Sequence, residues 1–372
     1  MASLRAFAAL AGVVALTVAA PVPEPELAER QDTSAPFLHS AAVAHGKAWF
    51  GSELDTFSGE QYDQAFMTVW NDSRIFGSTT PGNTMKWEFV EPQQNTFNFS
   101  QGMQTVALSK ATGKDAHLRC HNLVWHEELP SWVVYQPYDS WTNITLAAAM
   151  INHITKTVRG FGSNCYSWDV VNEAIDDNAQ WRNTIFYQYM GKYYIPIAFA
   201  AAQAAVKSIG ADIKLVYNDY NIEFPGAKQQ KAVELVQLIK QYGIKIDGVG
   251  FESHFVFGET PGASAQMQAM QSFTSLGLNM YQTELDVRFP SLPPTPATLA
   301  QQASDYYNTI QACMKTPACQ GMTVWDFDDA YSWVPSTFAG QGDACLYWAN
   351  LTRKPAYEAV YQAITDVNCT VC

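Results

Sequence analysis

The sequence predicts an α/β fold, a single-domain (β/α)8 TIM barrel. Three observations point there. Eight short apolar or β-branched runs alternate with longer amphipathic runs along the 372-residue chain, and strand–helix–strand repetition makes a parallel sheet that eight strands can close. No linker-like stretch divides the mature part, whose length suits one such barrel. Two of the runs, Ser167-Trp168-Asp169-Val170-Val171-Asn172-Glu173-Ala174 and Met280-Tyr281-Gln282-Thr283-Glu284-Leu285-Asp286-Val287, end in carboxylates. A parallel barrel gathers such strand tips on one face.

In chain order, Arg5 precedes an apolar run of mostly Ala, Val and Leu that closes on Val18-Ala19-Ala20. This is the pattern of a secretory signal peptide over 1–20. Residues 21–35, rich in Pro and Glu, read as a pro-segment or spacer, and 36–372 as the barrel. Strands are expected at 49–54, 75–80, 116–121, 168–172, 215–218, 248–254, 280–285 and 321–325. Helices are expected at 187–208, rich in Ala and Tyr, and at 228–242. In the latter Val233, Leu235, Val236 and Ile239 recur at helical spacing and Gly243 closes the run. Residues 290–296 form a Pro-rich loop after the seventh strand, on the face where the tips gather. Apart from the leader, no run is long and apolar enough to span a bilayer.

The composition is 48% hydrophobic and 15% charged, with a formal net charge of −13. That excludes nucleic acid and anionic membrane as partners, since both call for basic patches; a monomer is expected. Secretion permits disulfides. Of seven cysteines, Cys313 and Cys319 are close enough to close a small loop, and Cys369 and Cys372 could do likewise. The odd number leaves a free thiol unless chains pair. The sequence has neither paired Cys clusters nor histidines at zinc spacing, so no metal and no cofactor are expected. Asn71, Asn98, Asn143, Asn350 and Asn368 stand in Asn-x-Ser/Thr sequons, candidate glycosylation sites in a secreted chain.

Two glutamates at the tips of two buried strands meet the needs of a glycosidase, one as acid and one as nucleophile. Further segments sharpen this: Leu123-Val124-Trp125-His126, Tyr217-Asn218-Asp219-Tyr220-Asn221, Thr283-Glu284-Leu285-Asp286 and Ser332-Trp333-Val334-Pro335. With Trp168 to Ala174 and in this order, they make the chain resemble a fungal member of glycoside hydrolase family 10, the endo-β-1,4-xylanases, from about residue 46 to 364.

The resemblance implies a secreted retaining endo-β-1,4-xylanase acting on xylan, and implies roles. Glu173 would be the general acid/base and Glu284 the nucleophile, about 5–5.5 Å apart as retention requires. Glu284 must be ionised, and Glu173 must hold a proton at the working pH. Asn172 would bond the sugar 2-hydroxyl, and His254, with Asp286 behind it, would orient Glu284. Asn83, Lys86, His121, Trp125, Trp325 and Trp333 would build the glycone side, and Asn218 and Tyr220 the leaving-group side.

Several residues depart from the family's usual pattern. Gly82 stands where a Glu usually precedes the residue matching Asn83, which predicts a weakened second glycone subsite unless Glu53 or Glu252 substitutes. Glu252 replaces a usual Gln, Cys120-His121-Asn122 replaces Gly-His-Thr, Gln282 replaces an apolar residue, and Glu53 and Asp55 add acids after the first strand. Such departures leave open a plant glycoalkaloid as substrate. A non-catalytic sugar-binding barrel is disfavoured because both glutamates, Asn172 and His254 are present. A metal-dependent hydrolase lacks a ligand cluster in the sequence.

Overall fold

The structure, a computed structural model, describes residues 33–135 and 141–366. The expected signal peptide, most of the spacer, Asn368, Cys369 and Cys372 lie outside the described residues. Among the described residues are nine parallel strands: β1 (Trp49–Leu54), β2 (Thr79–Pro81), β3 (Arg119–Cys120), β4 (Ser167–Asn172), β5 (Lys214–Asp219), β6 (Gly248–Phe251), β7 (His254–Val256), β8 (Asn279–Arg288) and β9 (Cys319–Val324). Pairing runs β2-β1-β9-β8-β6-β5-β4-β3, and β7 pairs with β8. β6 and β7 are two halves of one stave, so the nine strands make an eight-stave barrel. At the seam no ladder joins β2 to β3, but the Ser78 hydroxyl donates to the His117 carbonyl at 2.7 Å.

The differences from the sequence-based strands have local causes. The sixth expected strand is split because Ser253 adopts a left-handed φ of 64°, which ends β6 and restarts the chain as β7 along β8. The third shrinks to two residues because 115–117 form a 3-10 turn and His121 leaves the ladder to bond Asp169. The second begins four residues late, at Thr79. The helix expected at 187–208 is two helices, Ile185–Met190 and Tyr194–Ser208, separated at Gly191 with φ 56°. A left-handed residue ends a helix, and glycine adopts that conformation without steric cost. The helix expected at 228–242 occupies Ala227–Gln241.

The barrel interior is layered. At the N-terminal end Trp49 stacks on His117 and Tyr281, with centroids 4.9 and 5.9 Å away. Gly321 on β9 leaves the room: a Cβ there would overlap the Trp49 ring. The opposite, C-terminal end is lined with charged and amide groups and opens to solvent as a cleft of about 920 Å³. Helices pack outside, burying the main apolar core, and Trp49, Val216 and Tyr281 form a separate small cluster.

Cys313 and Cys319 are bridged, fastening the helix Pro296–Lys315 to the start of β9. A second bridge, Cys120–Cys165, joins β3 to the segment before β4. Cys345 is a buried free thiol. Asn71, Asn98, Asn143 and Asn350 are all exposed.

Candidate active site

Glu173 and Glu284 both line the cleft. Glu173 follows the last residue of β4 with a left-handed φ of 52°, and its N–H donates to the Asn218 carbonyl at 2.9 Å. Such a conformation is uncommon outside glycine and persists only where surrounding bonds hold it. Glu284 sits inside β8, where the ladder to β9 shifts register between Gln282 and Leu285.

The two carboxylates have unlike surroundings. Glu284 is enclosed by donors. Arg119 Nη2 lies 2.6 Å from its Oε1, Asn218 Nδ2 2.9 Å from the same oxygen, and His254 Nε2 3.3 Å from Oε2. Burial by itself would raise the Glu284 pKa, but Arg119 and His254 outweigh it and hold it well below the usual carboxylate range. His254 Nδ1 lies 2.9 Å from Asp286 Oδ2, and the Trp333 indole donates to that oxygen at 2.7 Å. Burial works against a charged His254, yet Asp286 and Glu284 push its pKa up to about 10. Glu173 is more open: His126 Nε2 stands 2.9 Å from Oε2, and Arg182 Nε donates to its backbone carbonyl at 2.7 Å.

On the wall made by β1, β2 and β9, Asn83 donates to Asp55 at 2.7 Å and accepts from Lys86 at 2.7 Å. The Lys86 ammonium lies 4.9 Å from the centroid of the Trp125 ring. His121 Nδ1 is 2.9 Å from Asp169 Oδ2, and its ring meets Trp325 edge-on at 5.6 Å. Beside Asn83, Glu53 is only 2% exposed. Gly82 does not leave an empty place: a Cβ on it would overlap Glu53 Oε1. Burial, then Asp326, Glu60 and Asp55, push the Glu53 pKa well above the ordinary value. Burial likewise takes Glu60 to about 9 and Asp326 to about 8.

The structure therefore brings together Glu173, Glu284, Asn172, His254, Asn83, Lys86, His121, Trp125, Tyr220, Trp325 and Trp333 around one cleft, with Asp286 directly behind His254. Asn218 needs correcting. It is fully buried, and its amide nitrogen lies 2.8–2.9 Å from Asn172 Oδ1, Glu252 Oε1 and Glu284 Oε1, so it braces the carboxyls rather than facing a leaving group. Gln282 points away from the cleft and donates to the Thr309 carbonyl at 2.5 Å. In a regular strand residues two apart share a face, but the register shift between Gln282 and Leu285 breaks the alternation, so Gln282 and Glu284 face opposite ways. Glu252 is buried, and burial followed by Glu284, Glu173 and Asp219 raises its pKa well above normal. A neutral carboxyl there has the hydrogen-bonding pattern of an amide, which reconciles it with the usual Gln.

Arg119, Asp169, His126 and Arg182 escaped the sequence analysis. A signal existed for the first two. Each is a charge inside a run read as a buried strand, and such charges need partners; Arg119 Nη2 and Asp169 Oδ2 are 2.6 Å apart. His126 and Arg182 sit in loops and carried no such signal.

Two groups set three possible metal-ligand atoms within 4.8 Å of one another: Glu252, His254 and Glu284, and Glu53, Glu60 and Asp326. In the first, carboxylates engage both nitrogens of a cationic His254, leaving no lone pair for a metal. In the second, raised pKa values favour protonated carboxyls, which are poor ligands.

A parallel barrel with two glutamates toward its C-terminal end, Glu284 buried among donors and Glu173 half-buried and open to the cleft, defines a glycoside hydrolase. The chain belongs to glycosyl hydrolase family 10, whose family model matches residues 38–363. It is 46% identical over 323 residues to endo-1,4-beta-xylanase D of Talaromyces funiculosus, covering 87% of this chain and 76% of that one. Endo-1,4-beta-xylanase 5 of Pyricularia oryzae is 41% identical over 370 residues, covering 100% and 89%. Among solved structures, the family 10 xylanase from Bispora sp. MEY-1 with xylobiose superposes with a TM-score of 0.85 at 47% identity, covering 88% of this chain and 100% of that one.

Proposed function

We propose that this chain is a secreted, retaining endo-β-1,4-xylanase, with Glu284 as nucleophile and Glu173 as acid/base. The observation that carries the reading is the contrast between the two carboxyls: Glu284 is kept ionised by Arg119 at 2.6 Å and cationic His254, while Glu173 faces the cleft with Arg182 Nη2 only at 3.9 Å from its Oε2. The xylanase relatives supply the substrate class.

In the first step a Glu284 oxygen bonds to the anomeric carbon as the glycosidic C–O bond breaks, and the Glu173 proton passes to the departing oxygen. In the second, Glu173 takes a proton from water, whose oxygen displaces Glu284 from the same carbon, so the product keeps the β configuration. Asn172 meets the sugar 2-hydroxyl, and Tyr220, Trp325 and Trp333 wall the sugars beside the cleavage point. Product analysis on xylan, a cellulose derivative and a glycoalkaloid tests the substrate: short xylo-oligosaccharides from xylan are expected. Release of sugar from the glycoalkaloid with none from xylan refutes the reading. Proton NMR of the first product should show the β-anomer before mutarotation, and early α-anomer would mean inversion.

A further inference from the structure

We infer that Arg288 is a specificity residue of the cleft: it binds the carboxylate of a uronic-acid side group carried by the xylan chain. The inference rests on the proposed reading that xylan lies in the cleft.

Three Lys and Arg side chains line the cleft, Lys86, Arg182 and Arg288. The first two are committed within the protein. Lys86 donates to Asn83 at 2.7 Å, and Arg182 donates to the Glu173 and Ile175 carbonyls and the Tyr220 hydroxyl at 2.7–3.0 Å. Arg288 is different. Its Nε donates to Gln341 Oε1 at 2.9 Å, and its guanidinium carbon lies 4.2 Å from the centroid of the Phe338 ring. Among the described residues no carboxylate pairs with it, although Glu173, Glu252, Glu259 and Glu284 line the same cleft. A guanidinium seated on a ring and tied at Nε is held in one plane, with both Nη groups left over. Those two nitrogens form the edge that grips a carboxylate through two parallel hydrogen bonds. Because the fork is already ordered, little side-chain freedom is lost on binding.

Its position selects a side group rather than a ring of the main chain. Arg288 is the last residue of β8, four after Glu284, roughly 13 Å further toward the open end of the barrel at the usual strand rise. Between them, Asp286 accepts from the Trp333 indole, and the Trp333 and Phe338 rings meet at 5.5 Å. Trp333 walls the sugars beside Glu284, and Arg288 stands outward of that wall, half-buried at the rim. A main-chain ring held at the depth of Glu284 does not reach it. A substituent projecting outward from that chain does. The xylose backbone is neutral, and the charged substituents of xylan are uronic acids. Acids elsewhere in the cleft repel a carboxylate, so Arg288 fixes where along the chain such a group is accepted.

The test compares kcat/KM on a glucuronoxylan and on the same polymer with its carboxyls reduced to alcohols. Arg288→Gln should lower the acidic-to-reduced ratio by about fivefold or more. Arg288→Lys, which keeps the charge and loses the fork, should fall between. Raising the ionic strength should lower the ratio for the wild type and leave that of Arg288→Gln nearly flat, since salt screens a partly exposed ion pair. The wild-type salt series decides the matter should a variant not fold. Equal losses on both polymers in Arg288→Gln, or a wild-type ratio that does not fall with salt, would overturn the inference and leave Arg288 as packing for Phe338 in a working xylanase. A wild type inert toward both polymers would overturn the proposed function and this inference together.

Discussion

Arg119 crosses the barrel interior from β3 to β8 and sets its Nη2 2.6 Å from Glu284 Oε1. The same nitrogen is 2.6 Å from Asp169 Oδ2, and Nη1 donates to the Thr283 carbonyl at 3.1 Å. One guanidinium thus answers two buried carboxylates, Asp169 on the adjacent β4 and Glu284 across the barrel on β8. A buried pair adds little net stability relative to an apolar replacement, but removing one partner strands the other.

Arg119→Gln should therefore do two things. Stability should fall by about 3–5 kcal/mol, the typical consequence of leaving a buried charge unpaired. The acid limb of kcat/KM should move to higher pH by a unit or more, because Arg119 is the leading cation holding Glu284 below its usual pKa. Measured pH–rate profiles check this; an unmoved acid limb would show that Glu284 is not the group that limb reports.

Glu284→Gln should abolish turnover on every substrate, since no covalent bond to the sugar can form. Glu173→Ala should spare aryl glycosides with good leaving groups, which need little protonation, and added azide should partly restore turnover. Steady-state rates on a leaving-group series decide it. Equal losses on good and poor leaving groups would remove Glu173 from the acid/base role.

The buried acids set a pH dependence of stability. Burial raises Asp219 to about 6, Glu223 and Asp328 to about 7, Asp326 to about 8 and Glu60 to about 9. Between their unfolded values near 4 and these folded values, the native state holds more protons than the unfolded one, so stability falls as pH rises. His254, raised to about 10, acts in the same direction above pH 6.5. Lys47 and Lys114, lowered to about 8 by burial, oppose it only at higher pH, and His39, lowered to about 4, opposes it below 6.5. Thermal melts should give the highest Tm in the mildly acidic range and a steady decline to pH 9. Glu252→Gln, which makes the neutral form permanent, should raise Tm at pH 8 more than at pH 5.

The two disulfides should contribute unequally. Cys120–Cys165 spans 45 residues and Cys313–Cys319 spans 6, for which loop entropy predicts about 4 and about 2 kcal/mol. Replacing the first pair by alanines should lower Tm distinctly more than replacing the second. Equal losses would mean that native packing rather than loop length sets the effect.

Strand periodicity and the two carboxylate-ended runs were enough to read the barrel and both glutamates, because a buried parallel strand must be apolar except where its tip reaches the cleft. The bridge from Cys313 to Cys319 was readable for a similar reason, being a contact between near neighbours in the chain. Cys120 and Cys165 are far apart in sequence and meet only because β3 and β4 are adjacent. Asn218 was read on the correct strand tip but with the wrong orientation: alternation along a strand tells inside from outside, not which of several interior groups an amide will bond.

The sequence by itself determined the class of fold and singled out Glu173 and Glu284 by local pattern, and its resemblance to the family pointed to most side chains that line the cleft. Only the tertiary structure decided how charges separated by up to 165 residues combine: Arg119 with Glu284, His254 between Glu284 and Asp286, and Glu53 in the space that Gly82 leaves open. The physical reason is that these effects depend on distance and burial. A low-dielectric interior turns contacts of 3 Å into ionisation states, and that spacing exists only once the staves stand side by side.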